Sequence, residues 1–133
     1  MSAALAKLKA RIEKSGSMLC VGLDSAPERL PQRFAADPLP QLVFNRWIIE
    51  QTLPYTAAFK PNLAFYEARG AAGWSELAET MGFLADVAPE VFTIADAKRA
   101  DIGSTNAGYV TGLLDELGFD AITVHPYLGR EAL

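Results

Sequence analysis

Residues 93 to 105 read TIADAKRADIGST, and they set two carboxylates, Asp96 and Asp101, around one ammonium, Lys98. The apolar run Val91-Phe92-Thr93-Ile94-Ala95 leads directly into them. On a helix surface the segment ADAKRAD, rich in helix formers, would be a solvated charge cluster whose ion pairs contribute a few tenths of a kcal/mol. At the end of a buried strand the same residues become a fixed array. Positions two apart on a strand project to one face, so Asp96 and Lys98 would stand together. Cations beside a carboxylate keep it ionised, and charges held in place can stabilise charge that leaves or develops on a substrate.

The elements around the cluster favour the second alternative. Four short apolar runs, Met18 to Leu23, Thr56 to Lys60, Val91 to Ala95 and Ala121 to Val124, have strand length and strand composition. Helical spacing precedes each one: Leu5, Leu8 and Ile12; then Leu42, Val43, Trp47, Ile48 and Leu53; then Trp74, Leu77, Met81 and Leu84; then Tyr109, Leu113, Leu114 and Leu117. Pro54 and Pro89 stop the second and third helices, and Gly118 sits where a C-cap glycine belongs. Strand and helix in alternation predict parallel strands joined by crossover helices. The strand ends then read Gly22-Leu23-Asp24, Phe59-Lys60-Pro61-Asn62, Asp96-Ala97-Lys98 and Val124-His125-Pro126. Ionisable groups gathered at the carboxyl ends of parallel strands stand where α/β folds bind their ligands. The pattern by itself leaves a doubly wound sheet and part of a (β/α)8 barrel both open, since a whole barrel takes ~250 residues.

Bulk properties narrow the partners. The chain has 133 residues, half of them apolar, enough for one domain with a core. Its net charge is -4, which argues against nucleic acid or an anionic membrane surface as partner. The amino terminus lacks the uninterrupted apolar core of a signal peptide, and no apolar run approaches the ~20 residues of a membrane span. The lone Cys20, inside Met18-Leu19-Cys20-Val21, reads as a small buried hydrophobe in a reducing compartment. The expected location is the cytoplasm.

The segments VGLD, FKPNLAFYE and DAKRADIGST together resemble orotidine 5'-phosphate decarboxylases of the bacterial type 2 branch, over residues 18 to 129. The resemblance implies a (β/α)8 TIM barrel of which this chain holds about the first four β/α units, with residues 1–133 as the amino-terminal half of the domain. It implies decarboxylation of orotidine 5'-monophosphate to UMP, in pyrimidine biosynthesis, with no metal and no organic cofactor. Lys98 is then the proton donor to the ring carbon, Asp96 lies near the departing carboxylate, and Lys60 orients Asp96 and touches the ribose. Asp101 completes an alternating Lys-Asp-Lys-Asp array by reaching into the neighbouring subunit of a homodimer, accompanied by Ile102 and Thr105. Asp24 binds ribose hydroxyls.

Plainer roles stand beside these. Asp24 could be a helix N-cap ahead of Pro27, Thr105 a first-turn residue, Asn62 a turn residue, and His125 a packed wall residue. A Mg2+-dependent sugar-phosphate decarboxylase or aldolase of the same wider group shares the Asp-x-Lys-x-x-Asp spacing. Lys60 favours the metal-free enzyme, because a cation there would repel a metal. A third alternative is a non-catalytic fragment. Family members have about twice this length, and their later strands supply the phosphate grip and the lid over the base. The 133-residue chain is therefore expected to be a half barrel with apolar strand edges, prone to self-association, with little activity of its own.

Overall fold

The computed structural model of the protein describes residues 2–133. The first apolar repeat winds into helix α1 (Ala3–Ser15), opened by Ser2, whose hydroxyl accepts from the Leu5 amide. Gly16 closes it at φ 63°, the left-handed turn that glycine takes most cheaply, with its N–H on the Ile12 carbonyl. Strand β1 (Leu19–Gly22) follows, then the short helix α2 (Gln32–Ala35) and the long α3 (Pro40–Thr52), which ends two residues before Pro54. Next come β2 (Thr56–Lys60), the single turn α4 (Ala64–Glu67) and α5 (Gly70–Val87). Strand β3 (Phe92–Arg99) leads to α6 (Gly103–Val110), which continues as a π-helical turn over Thr111–Glu116. Gly118 at φ 72° turns the chain into β4 (Ala121–Val124).

All three strand pairs are parallel, in the order β1-β2-β3-β4, so each strand lies beside its predecessor and helices make every crossover. One face of the sheet packs on the helices. Val21, Phe59, Ala95, Ala97 and Ile122 meet Ile49, Tyr66, Leu77, Met81, Leu84 and Leu113 there. The other face carries the alternate residues of each strand, among them Lys60, Asp96, Lys98 and Thr123. Gly73 marks a tight approach within the helical layer, since a Cβ on it would lie 2.0 Å from the Tyr66 carbonyl oxygen. Among the described residues no helix is long and apolar enough to cross a membrane.

Three expectations need correction. Cys20 is exposed in this chain rather than buried: it alternates with the helix-facing Val21 and so lies on the sheet face that the helices do not cover. The first strand is shorter than Met18 to Leu23, and the third runs on through Asp96 and Lys98 to Arg99. Short helices α2 and α4 and the π turn carry no periodic signal long enough to read.

Candidate active site

The site grows from two neighbouring strand ends. Lys60 is the last residue of β2 and Asp96 lies on β3, and the loop between β2 and α4 is sewn to both flanking strands. The Leu23 amide donates to the Lys60 carbonyl, the Asp96 amide to the Pro61 carbonyl, and the Leu63 amide to the Asp96 carbonyl. Asn62 bridges to Asp96 in parallel register, and its Oδ1 accepts from the Ala64 amide, the turn role expected of it.

Asp96 is the hub. Lys60 Nζ lies 3.2 Å from its Oδ2, and Lys98 Nζ lies 2.6 Å from its Oδ1. The Thr123 hydroxyl on β4 donates to the same Oδ1 at 2.9 Å. The Asp96 side chain keeps only 12% of its surface open, whereas Lys98 keeps 65%. The hydrogen bond from Lys98 is the main reason that the Asp96 carboxyl falls from its ordinary 3.8 to about 2; burial opposes the drop, and Thr123 and Lys60 add to it. Asp96 is thus an anion above about pH 2. Because the folded value is the depressed one, its contribution to stability is fully present above 3.8 and is lost as pH falls toward 2.

Asp24 stands at the end of the neighbouring strand. Its Oδ1 accepts from the Asn62 amide at 3.1 Å. It is not an N-cap, since the following turn Pro27–Arg29 is capped from Ala26 without a side-chain bond. A buried polar network fixes the segment that carries it. The Tyr66 hydroxyl donates to the Leu23 carbonyl at 2.7 Å, and Gln41 Nε2 donates to the Ser25 carbonyl at 2.7 Å. Arg69 and the fully buried Glu76 pair with each other, Arg69 also binding Gln41, and Glu76 accepts from the Leu42 amide. Burial pushes the Tyr66 hydroxyl up to about 12, so it remains a donor throughout the working pH range.

Asp101 lies just beyond the end of β3, ahead of α6. Its Oδ1 accepts from the Ile102 amide at 2.7 Å, and among the described residues no cation pairs with its carboxylate. Asn106 holds the turn from both sides, accepting from the Asp101 amide and donating to its carbonyl. Ile102 is 68% exposed, and Thr105 is half-buried in the first turn of α6. His125 is half-buried and stacks on Tyr127 at 5.6 Å. Thr123 escaped the sequence reading altogether. Its only signal is its place two residues before His125 on the face that the strand ends share. Among the described residues no group of three or more His, Cys, Asp or Glu side chains could hold a metal ion.

A parallel sheet in the order β1-β2-β3-β4, with helices at every crossover and ionisable side chains gathered at the carboxyl ends of its strands, is the arrangement of an α/β barrel, a fold class that binds its ligands at that end. Residues 17–133 match the model of the Orotidine 5'-phosphate decarboxylase / HUMPS family, and the chain belongs to that family. The orotidine 5'-phosphate decarboxylase of Dehalococcoides mccartyi is 49% identical over 129 residues, which is 97% of this chain and 45% of the relative. That of Christiangramia forsetii is 44% identical over 127 residues, 96% of this chain and 47% of the relative. The solved structure of Leishmania donovani OMP decarboxylase superposes with a TM-score of 0.81 at 36% identity, over 99% of this chain and 48% of that one. The chain spans about half the length of the curated relatives it matches. Its four-stranded sheet accordingly corresponds to about half of a TIM barrel.

Proposed function

We propose that a protein containing this chain decarboxylates orotidine 5'-monophosphate to UMP in the cytoplasm, and that residues 1–133 form the amino-terminal half of its barrel. The observation that carries this reading is the pair of ammoniums on one carboxylate, Lys60 on Oδ2 and Lys98 on Oδ1 of Asp96. Loss of CO2 from the pyrimidine leaves a carbanion-like ring carbon with no adjacent electron sink. A fixed anion beside the departing carboxylate, with a cation beside the carbon that gains charge, favours the transition state over the bound substrate. Asp96 supplies the anion. Lys98, the most open member of the cluster, delivers a proton to the ring carbon. Lys60 holds Asp96 from the far side and reaches the ribose, and Asp24 takes a ribose hydroxyl.

The related reading, a Mg2+-dependent enzyme acting on a sugar phosphate, meets a crowded carboxylate: Lys98 and Thr123 occupy Oδ1 of Asp96, and Lys60 occupies Oδ2. The test uses the protein continued to the full length of its relatives. Turnover of orotidine 5'-monophosphate is expected to be unchanged by EDTA or by added Mg2+. Activity that needs Mg2+ and prefers a sugar phosphate would reverse the choice.

The reading includes a homodimer in which Asp101, with Ile102 and Thr105, enters the partner's site. It is supported by a carboxylate that pairs with no cation among the described residues, beside an exposed isoleucine. Mixed Lys98→Ala and Asp101→Ala subunits of the full-length protein should recover part of the lost turnover, because one hybrid site is intact. No recovery despite subunit exchange would count against sharing.

A further inference from the structure

The pairing of β3 with β4 breaks where the charged cluster lies. Ala95 pairs with Ile122 and Arg99 with Val124, so the three residues Asp96, Ala97 and Lys98 face the single residue Thr123. Surplus residues on one strand make a bulge, a feature that re-aims side chains beside active sites. Lys98 takes φ 50° in this bulge, and Ala100 just beyond it takes φ 156°. They are the only non-glycine residues with positive φ among those described. Such a conformation is costly for a residue with a Cβ and persists only where its surroundings impose it.

Thr123 supplies that imposition. Its Oγ1 accepts from the Ala97 amide at 3.1 Å and from the Lys98 amide at 3.0 Å, while its proton goes to Asp96 Oδ1 at 2.9 Å. A hydroxyl has one proton to give and two lone pairs to receive with, and here all three are used. The two amides it satisfies belong to the bulged stretch, which the β4 backbone no longer matches residue for residue. The carboxylate oxygen it grips is the one to which Lys98 Nζ is bonded at 2.6 Å. Backbone and side chain of Lys98 are therefore tied to one hydroxyl, the first directly and the second through Asp96.

We propose that Thr123 is the positioning residue of this site, its hydroxyl holding the left-handed bulge at Lys98 and fixing the Asp96 oxygen that orients the Lys98 ammonium. The proposal rests on the decarboxylase reading for its kinetic consequence but not for its geometry. A threonine chosen only as a strand former would be replaceable by valine, which has the same branching and shape. A threonine chosen for its hydroxyl would be replaceable only by serine.

The experiment compares Thr123→Val and Thr123→Ser in the full-length protein, reading steady-state kinetics on orotidine 5'-monophosphate and hydrogen exchange of the Ala97 and Lys98 amides. The valine variant is expected to lose about 100-fold in kcat, the scale of a small misplacement of a reacting group. Its KM should move by less than about 3-fold, since the bound substrate gains little from the proton donor's aim. Both amides should exchange faster in the valine variant, and serine should keep kcat and exchange near the parent values. Should the valine variant not fold, Thr123→Ala makes the same comparison with serine. Unchanged kcat in the valine variant, or a serine variant as defective as valine, overturns the proposal. If the full-length parent does not decarboxylate this nucleotide, the functional reading fails separately and the amides still decide: faster exchange in valine but not serine upholds the role of Thr123, and unchanged exchange in both overturns it.

Discussion

Two aspartates at opposite ends of the same pair of strands are built from the same parts and make different devices. Asp120, at the entry to β4, accepts from Lys7 of α1 on both carboxylate oxygens, at 2.9 and 2.7 Å, and from the Thr93 amide and hydroxyl on β3. Asp96, near the exit of β3, likewise meets a lysine and a threonine of the adjoining strand. The lower cluster is a rivet. It joins α1 to the sheet, returns the Asp120 amide to the Thr93 carbonyl, and has one cation to one anion. The upper cluster has a second ammonium, a bulged backbone with a left-handed lysine, and a cation left 65% open. Residue types do not separate the two. What separates them is an uneven charge count and a lysine held on a strained backbone, a conformation that costs stability and persists only where its surroundings impose it.

The sharpest way to break this comparison is to delete each aspartate in the full-length protein. Asp96→Ala should lower turnover by at least about 1,000-fold, as loss of a fixed charge at the reacting centre does. Asp120→Ala should leave kcat within about 2-fold and instead lower unfolding free energy by about 2 kcal/mol, because the amide of the buried Thr93 loses its acceptor. Denaturant melts and kinetics on the same preparations would separate the two effects. If Asp120→Ala were the catalytically worse variant, rivet and site would have been assigned the wrong way round. A finer cut is Lys7→Ala, which removes a part-exposed ion pair while leaving Asp120 bonded to Thr93. It should cost at most about 1 kcal/mol, with no effect on kcat.

The sequence made the upper cluster visible because strand period two aligns Asp96 with Lys98, and because a terminal lysine closes the preceding strand at Lys60. Both inferences need only local geometry. Asp101 is placed in the array by resemblance only through the partner subunit; within this chain the backbone turns at Ala100 and its carboxylate accepts from the Ile102 amide. Spacing counts residues and cannot see where a backbone leaves its strand. Thr123 was hidden for the same reason. Threonine is an ordinary strand residue, and what singles it out is a bulge on the neighbouring strand, a property of the pairing rather than of either segment. The exposure of Cys20 in this chain was not legible because an apolar neighbourhood in sequence does not say which sheet face a residue takes, and Cys20 lies opposite the helix-facing Val21. The polar network of Gln41, Tyr66, Arg69 and Glu76 was unreadable too, since its members come from three helices and the turn between α4 and α5, and meet only through tertiary packing.

The most direct measurement is the turnover of orotidine 5'-monophosphate by full-length Lys98→Ala, set beside its melting temperature. Lys98 is the open cation of the cluster, and its loss leaves Asp96 with Lys60 and Thr123. The fold should therefore hold while protonation of the ring carbon fails. The account predicts a folded protein, with a melting temperature close to the parent's, and no measurable decarboxylation. A folded Lys98→Ala protein with near-parental turnover would contradict it.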